Sequence, residues 1–173
     1  MRWAEHPAVV WVLAALALVL AAVGAESYAG GFNDGSRLAT AESLIDRGTL
    51  AIDDSLYVHP PPELRDRRLN PYRPDYPKLL ASGTGDRVRI AGHFYSDKPM
   101  VPAILMAGAY RVLMFVGLPR PDERPDVFCW VCTFLTCGLG YAAAVACMWL
   151  LGRRAELSPP WRGLGRYARE GGA

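Results

Sequence analysis

Residues 127–151 read VFCWVCTFLTCGLGYAAAVACMWLL, a run of 25 residues with no charged side chain. A second apolar run, residues 8–25, reads AVVWVLAALALVLAAVGA and has 18 residues, again without a charge. At about 1.5 Å per residue the shorter run would reach about 27 Å as a helix, close to the roughly 30 Å hydrocarbon core of a bilayer. The two runs predict a mainly α-helical membrane protein with two transmembrane helices, and they exclude an ordinary soluble domain.

The run at residues 8–25 has two interpretations. Its last three residues, Val-Gly-Ala, would suit cleavage after a signal peptide. The run is long for a signal peptide, and Arg2 is the only basic residue before Glu5, so an uncleaved signal anchor is favoured. Either interpretation sends the residues that follow out of the cytoplasm.

The charge distribution predicts the topology. The chain has 19 basic and 17 acidic residues, so a net charge of +2 offers no basic field for nucleic acid. Because cytoplasmic flanks of transmembrane helices are rich in arginine, residues 152–173, with five arginines and two glutamates, are predicted to be a cytoplasmic tail. With residues 1–7 also cytoplasmic, residues 26–126 become an extracytoplasmic loop of about 100 residues in a multi-pass protein of the cell membrane.

Residues 99–118 are apolar except for one charge, Arg111. Their large apolar side chains favour insertion by roughly 0.3–0.6 kcal/mol each, whereas a central arginine costs roughly 2.5–3.5 kcal/mol. Because these contributions nearly cancel, we predict a helix that lies at the membrane interface with Arg111 directed to the lipid headgroups. Membrane lipid is therefore an expected partner, and the small residues of 127–151 favour packing against partner membrane helices.

Within the loop, a helix is predicted over residues 36–47. Gly48 follows as a helix stop, and Asn33 or Asp34 is the candidate N-cap. The apolar residues that recur at helical spacing are Leu38, Ala41, Leu44 and Ile45.

The rest of the loop shows little periodicity. In residues 49–58 the apolar residues Leu50, Ile52, Leu56 and Val58 recur at alternate positions, interrupted by Asp53-Asp54, and the segment is predicted to be extended. Residues 88–94 are predicted to form a short strand. Between them lies a proline- and arginine-rich segment, residues 60–89, which is predicted to be irregular.

All four cysteines lie in the run 127–151, at positions 129, 132, 137 and 147. The spacing of Cys129 and Cys132 is that of redox and zinc sites. Inside a membrane helix, packing as polarizable apolar side chains is the favoured interpretation.

Asp34 and Arg37 form the first candidate site, in the sequence Asn-Asp-Gly-Ser-Arg just after the first apolar run. A carboxylate where a membrane meets water can act as a general base. The simpler alternative is helix capping, which is favoured for this residue type on these grounds alone. Arg37 could clamp a phosphate, or it could pair with Asp34 or Glu42.

Asp97 and Lys98 form the second candidate site, at the start of the predicted interfacial helix. A lysine at the level of the headgroups can bind a lipid phosphate, and a carboxylate is a hard oxygen ligand for a divalent metal ion. The alternative is a lysine that extends toward water beside a capping aspartate.

These features together resemble a known family. An apolar amino-terminal span is followed by DGSR at residues 34–37, RGTLAID at 47–53, GHFYSDKPMVPAIL at 92–105, and a span that ends in GRR at 152–154. The order resembles the amino-terminal portion of the GT-C membrane glycosyltransferases, of the protein mannosyltransferase and aminoarabinose transferase type (family 39-like). The likeness covers roughly residues 8–154.

The resemblance implies a role for each candidate residue. Asp34 matches the catalytic acidic residue that activates the acceptor, and Lys98, assisted by Arg37, matches the lysine that meets the phosphate of a polyprenyl-phosphate-linked sugar. Asp97 stands where aminoarabinose transferases have a metal-binding glutamate, so a divalent metal ion is the one cofactor to be considered.

The sequence also departs from the family pattern. Gly35 occupies a position where many members have a second acidic residue, Met100-Val101 replaces Pro-Leu after Lys98-Pro99, and the segment 60–89 is not usual. The later spans and the soluble domain of such enzymes are missing, so we expect a truncated or split member.

Two functions remain open at this point, beside the possibility that signal cleavage leaves a secreted, anchored loop domain. The first is the amino-terminal part of a polyprenyl-phosphate-sugar-dependent glycosyltransferase, which is inactive until further spans complete it. The second is a non-catalytic two-span membrane protein whose polar loop binds a partner.

Overall fold

The computed structural model describes residues 8–61, 70–73 and 75–154. Within them the chain is mainly α-helical, as predicted. The predicted cytoplasmic end 1–7, and the predicted tail after residue 154, lie outside the described residues. The elements in chain order are α1 (Ala8–Gly24), α2 (Phe32–Asp46), α3 (Pro77–Ser82), β1 (Arg87–Ile90), β2 (His93–Ser96), α4 (Met100–Met114), α5 (Pro125–Thr133), a π-helical turn (Phe134–Gly138) and α6 (Leu139–Arg154).

One helix in the described part of the chain is long and apolar enough to cross a membrane. It runs over Pro125–Arg154, 30 residues, and contains the predicted span 127–151. α1 is also apolar and without charge, but its 17 residues fall just short of membrane length. Length and composition therefore support a membrane association, and a second crossing by residues 8–25 stays a prediction.

The chain divides into two compact units. The described part of one contains residues 8–23 and 138–154, and the other, which we call the loop unit, contains residues 24–137. The loop unit includes α5, where Phe128, Cys129 and Cys132 are buried. The first turns of the predicted second span are therefore part of the core of the loop unit.

The four cysteines form a buried pair and an exposed pair. Cys129 and Cys132 are buried as apolar core residues, whereas Cys137 and Cys147 are exposed. All four thiols are free. Packing as apolar side chains is therefore observed for the first two.

α2 begins four residues earlier than predicted and ends one residue earlier. The N-cap is Gly31 in an extended conformation, so the prediction of Asn33 or Asp34 as the cap was wrong. Asp34 lies instead in the first turn, where a carboxylate interacts favourably with the helix dipole. Gly48 has a φ of 67°, the left-handed conformation expected of a glycine that ends a helix.

The predicted strand at 88–94 is in fact a hairpin. β1 and β2 pair in antiparallel register, with Val88 opposite Tyr95. Ala91 and Gly92 form the turn, and both have positive φ, which matches the twist of a two-residue hairpin.

The prediction of an extended segment at 49–58 was wrong. These residues form successive turns. Their apolar side chains are nevertheless buried, since Ile52, Tyr57 and Val58 are each 0% exposed. Burial does not alternate, however, because Ser55, Leu56, Tyr57 and Val58 are all buried in succession.

α4 lies within the predicted interfacial helix 99–118 and has two faces. One face packs against α2 and α5 through Ala103, Met106, Ala107 and Tyr110. Tyr110 meets Phe128 edge to face, with ring centroids 4.9 Å apart. The other face is apolar yet exposed, and it includes Val101, Ile104, Leu105 and Val112.

Candidate functional site

The first two turns of α2 present Asp34 and Arg37 to one cavity. The two residues are three positions apart, so their side chains leave the helix on the same side. Both line a cavity of about 510 Å³ within the loop unit. Leu38, the next residue on that side of the helix, lines it as well.

The polar wall of the cavity contains two residues that the sequence analysis did not select. Glu26 and Tyr28 lie in the segment between α1 and α2 and line the same cavity. A Cβ built on Gly30 would lie 3.4 Å from Oδ2 of Asp34 and 3.6 Å from Oε2 of Glu26, so both carboxylates approach one point. The signal for Glu26 was present in the sequence, because it is the first charged residue after the apolar run.

The remaining lining of the cavity is mostly apolar. α4 and α5 contribute Pro102, Met106, Cys129 and Cys132 to it. A carboxylate and a guanidinium group therefore share the cavity with these apolar side chains and with Thr133 and Thr136. Such a cavity suits an amphiphile with a charged head and an apolar tail.

Arg37 has unused hydrogen-bonding capacity at this cavity. Its Nε is buried, and among the described residues nothing accepts a hydrogen bond from it. A buried donor without a partner is costly, and an anionic group is the partner that a guanidinium prefers.

Lys98 is paired with two carboxylates. Its Nζ lies 3.1 Å from Oδ2 of Asp86 and 3.2 Å from Oδ1 of Asp97. The hydrogen bond to Asp86 raises the pKa of Lys98, and Asp97 adds to the effect. The lysine is therefore held as a cation, but neither it nor Asp97 is among the described residues that line the cavity.

Ser36 connects the two candidate sites. Its hydroxyl donates to the carbonyl oxygen of Asp86 at 2.5 Å and lies 2.6 Å from the hydroxyl oxygen of Ser96. The Ser96 hydroxyl in turn accepts from the backbone N–H of Lys98 at 3.1 Å. Ser36 and Ser96, which are 60 positions apart in the sequence, are thus joined by a hydrogen bond. Ser36 lies between Asp34 and Arg37, and Ser96 directly precedes Asp97 and Lys98.

The residues around Asp97 do not fit a divalent metal ion in this arrangement. In the described ranges no three His, Cys, Asp or Glu side chains converge. Asp86 and Asp97 direct oxygens at the ammonium group of Lys98, which takes the place that a metal cation would need. We derive no step through a metal, and the metal role of Asp97 stays a prediction.

A further carboxyl group lies in the core beside the site. Glu42 on α2 accepts hydrogen bonds from the Ser55 hydroxyl and, at 3.1 Å, from Nη2 of Arg47. Burial raises the pKa of Glu42 to about 7, although both partners act in the opposite direction. The sequence analysis considered Glu42 only as a partner of Arg37, and its partner here is Arg47.

Comparisons of the chain with protein-family models, with curated proteins and with solved structures found no match.

Proposed function

We propose that the loop unit is the catalytic loop of a membrane glycosyltransferase that uses a polyprenyl-phosphate-linked sugar and acts on a lipid or protein acceptor at the outer face. The cavity carries this proposal. It combines Asp34, Arg37 and an apolar wall, which are the groups that a base, a phosphate and a prenyl chain would need. The connection through Ser36 and Ser96 supports it by holding the Lys98 segment against the same helix.

In the proposed reaction Asp34 accepts the proton of an acceptor hydroxyl group as the oxygen attacks the anomeric carbon of the sugar. The bond between that carbon and the phosphate oxygen breaks, and the phosphate leaves as an anion. Arg37 and Lys98 stabilise the negative charge that develops on the phosphate. The apolar wall holds the first prenyl units of the donor.

The proposal includes a membrane topology. Residues 8–25 and 127–151 both cross the bilayer, both ends of the chain are cytoplasmic, and residues 26–126 lie outside. Two spans and one interfacial helix are too few to enclose a long prenyl chain, so further membrane helices complete the donor groove.

The first step is tested by binding of farnesyl phosphate to the purified full chain in nanodiscs. Because a hydrogen bond to a charged group contributes about 1.5–3 kcal/mol, Arg37→Gln should weaken the Kd at least tenfold. Arg73→Gln is the matched control, since its side chain is exposed and pairs with exposed Asp75. Failure of the unmodified chain to bind, or equal affinity of Arg37→Gln, would overturn the proposal.

The second candidate is a non-catalytic membrane protein whose polar loop binds a partner. It is favoured by Lys98, whose charge is already balanced by Asp86 and Asp97, so that no phosphate is required there. Farnesyl phosphate binding that is insensitive to both Arg37→Gln and Lys98→Ala would favour this candidate.

A further inference from the structure

We infer that Tyr72 is a positioning residue that fixes the turn of α2 carrying Asp34 and Arg37 by packing its ring against Gly35. The inference rests on the proposed function for its binding consequence only. Its geometry stands on the contacts of Tyr72, which belongs to the proline- and arginine-rich segment 60–89 that is predicted to be irregular.

The position of Tyr72 is fixed by its neighbours. Tyr72 is fully buried, and its hydroxyl donates to the carbonyl oxygen of Tyr57. The rings of Tyr72 and Tyr57 meet edge to face, with their centroids 5.8 Å apart. The main chain on both sides of Tyr72 is hydrogen-bonded to Ala29. The N–H of Ala29 donates to the carbonyl oxygen of Pro71 at 2.8 Å, and the carbonyl oxygen of Ala29 accepts from the N–H of Arg73 at 3.3 Å. The ring therefore cannot move aside easily.

Gly35 is the point of α2 that this ring touches. A Cβ at position 35 would lie 2.4 Å from the Tyr72 hydroxyl oxygen, 2.8 Å from Cε1 and 3.0 Å from Cζ, all closer than ordinary contact. Any side chain at position 35 would push α2 and Tyr72 apart. The glycine in the helix is thus explained by the approach of the ring rather than by its backbone angles.

The chain that follows Tyr72 holds the same turn of α2 at two more points. The Thr84 hydroxyl donates to the carbonyl oxygen of Phe32 at 2.7 Å, and the Asp86 carbonyl accepts from Ser36. Tyr72 and the chain that follows it therefore contact α2 at three positions, Phe32, Gly35 and Ser36. Asp34 and Arg37 lie between and beside these positions and face the cavity instead.

The two unusual features of the sequence therefore meet in one contact. Gly35, which stands where an acidic residue was expected, leaves room for Tyr72, and Tyr72 is supplied by the unexpected proline-rich segment. A change at either residue should shift the cavity side chains without removing any of them.

The test compares two glycines of the same helix end in the full chain in nanodiscs. Gly35→Ala introduces the clash, whereas Gly31→Ala is the matched control because a Cβ there meets nothing within 4 Å. Gly35→Ala should weaken the Kd for farnesyl phosphate at least tenfold, and Gly31→Ala less than twofold. In a Tyr72→Leu background, Gly35→Ala should change the Kd less than twofold, since the ring is gone.

A second measurement needs no ligand. Cys129 is buried and lines the cavity, so its alkylation by a maleimide, followed by mass spectrometry, reports a shift of the cavity wall. Relative to the unmodified chain, Gly35→Ala should raise this rate at least fivefold and Gly31→Ala should not. If Tyr72→Leu does not fold, Tyr72→Phe replaces it, because the hydroxyl oxygen is the closest atom and its loss should relieve part of the effect.

The outcomes separate the two ideas. Absence of farnesyl phosphate binding in the unmodified chain would refute the proposed function and leave the alkylation result to decide the role of Tyr72. Equal alkylation rates in Gly35→Ala and Gly31→Ala would refute the positioning role even if binding is observed. An effect of Gly35→Ala that persists undiminished in both Tyr72 backgrounds would refute it as well.

Discussion

Glu42 lies in the core of the loop unit although it carries a carboxyl group. Burial raises its pKa from 4.5 to about 7. Between these pH values the folded chain keeps a proton that the unfolded chain has lost. The contribution of Glu42 to the free energy of unfolding should therefore be largest below pH 4.5 and fall, by up to roughly 3 kcal/mol, as the pH rises to 7.

Glu42→Gln removes this titration, so the free energy of unfolding of the variant should change much less between pH 5 and 7.5 than that of the unmodified chain. Denaturant unfolding of the chain in detergent at several pH values measures both slopes. Asp54→Asn, at an exposed carboxyl group, should keep the original slope. Equal slopes for the unmodified chain and Glu42→Gln would contradict the buried, proton-binding state of Glu42.

Ser36 is a second residue whose role depends on its partners. Ser36→Ala leaves the Asp86 carbonyl and the Ser96 hydroxyl without this buried partner, so it should lower the free energy of unfolding by about 1–3 kcal/mol. Ser27→Ala, at an exposed serine, is the control and should stay within about 0.5 kcal/mol. Equal stability of the two variants would show that the connection between the candidate sites carries no energy.

At the scale of elements, α4 combines a buried face with an exposed apolar face. Leu105 and Val112 are 66% and 64% exposed although both are apolar. If α4 lies at the membrane interface, a spin label at Leu105 should be relaxed more by oxygen, which enters lipid, than by a water-soluble nickel chelate. A label at exposed Lys78 should show the reverse. Stronger relaxation of the Leu105 label by the chelate would place this face in water.

α2 shows how one element divides its roles among its sides. Asp34 and Arg37 face the cavity, Gly35 meets Tyr72, and Ser36 meets the hairpin end. Because successive residues of a helix are rotated by about 100°, these neighbours in sequence have different neighbours in space. The functional side chains therefore depend on contacts made by the residues between them.

At the scale of the whole molecule, the topology is the first prediction. In a chain whose native cysteines are replaced by alanine, a cysteine at Ser82 should react with a membrane-impermeant maleimide in intact cells. A cysteine at Ser158 should react only after the cells are opened. Labelling at position 158 alone, in intact cells, would reverse the proposed orientation.

The second prediction for the whole molecule concerns activity. Orientation of donor and acceptor supplies up to about 7–11 kcal/mol of a barrier, and two spans cannot hold a prenyl chain and an acceptor together. The purified chain should therefore transfer no sugar by itself, as measured with a radiolabelled polyprenyl-phosphate sugar. When further helices are supplied as a second polypeptide, activity should appear and be lost in Asp34→Asn and Lys98→Ala.

Lys78→Ala is the matched control in that complex, because Lys78 is an exposed lysine remote in sequence from both candidate sites. Turnover by the 173-residue chain alone would refute the need for further helices. Activity that survives both Asp34→Asn and Lys98→Ala would refute the site assignment instead.

The sequence alone determined most of the helical elements of this protein, but not α3 (Pro77–Ser82), because residues 60–89 were predicted to be irregular. The apolar runs, the spacing of Leu38, Ala41 and Ile45, and the glycine at position 48 predicted helices that the fold contains. These features are local, because hydropathy and helical periodicity are properties of neighbouring residues. The exact start of α2 was missed, because its N-cap is a glycine, which has no side chain that could make a capping hydrogen bond.

Only the tertiary structure decided what surrounds the candidate residues. Glu26 joins Asp34 at the cavity, Lys98 is paired with Asp86, and Tyr72 lies on Gly35. The members of each contacting pair, Lys98 with Asp86 and Tyr72 with Gly35, are separated by a dozen to several dozen residues. The sequence around one member of a pair does not indicate which residue will be its partner. Such contacts depend on how turns and helices pack in three dimensions, and that packing sets the burial, the charge balance and the orientation of a site.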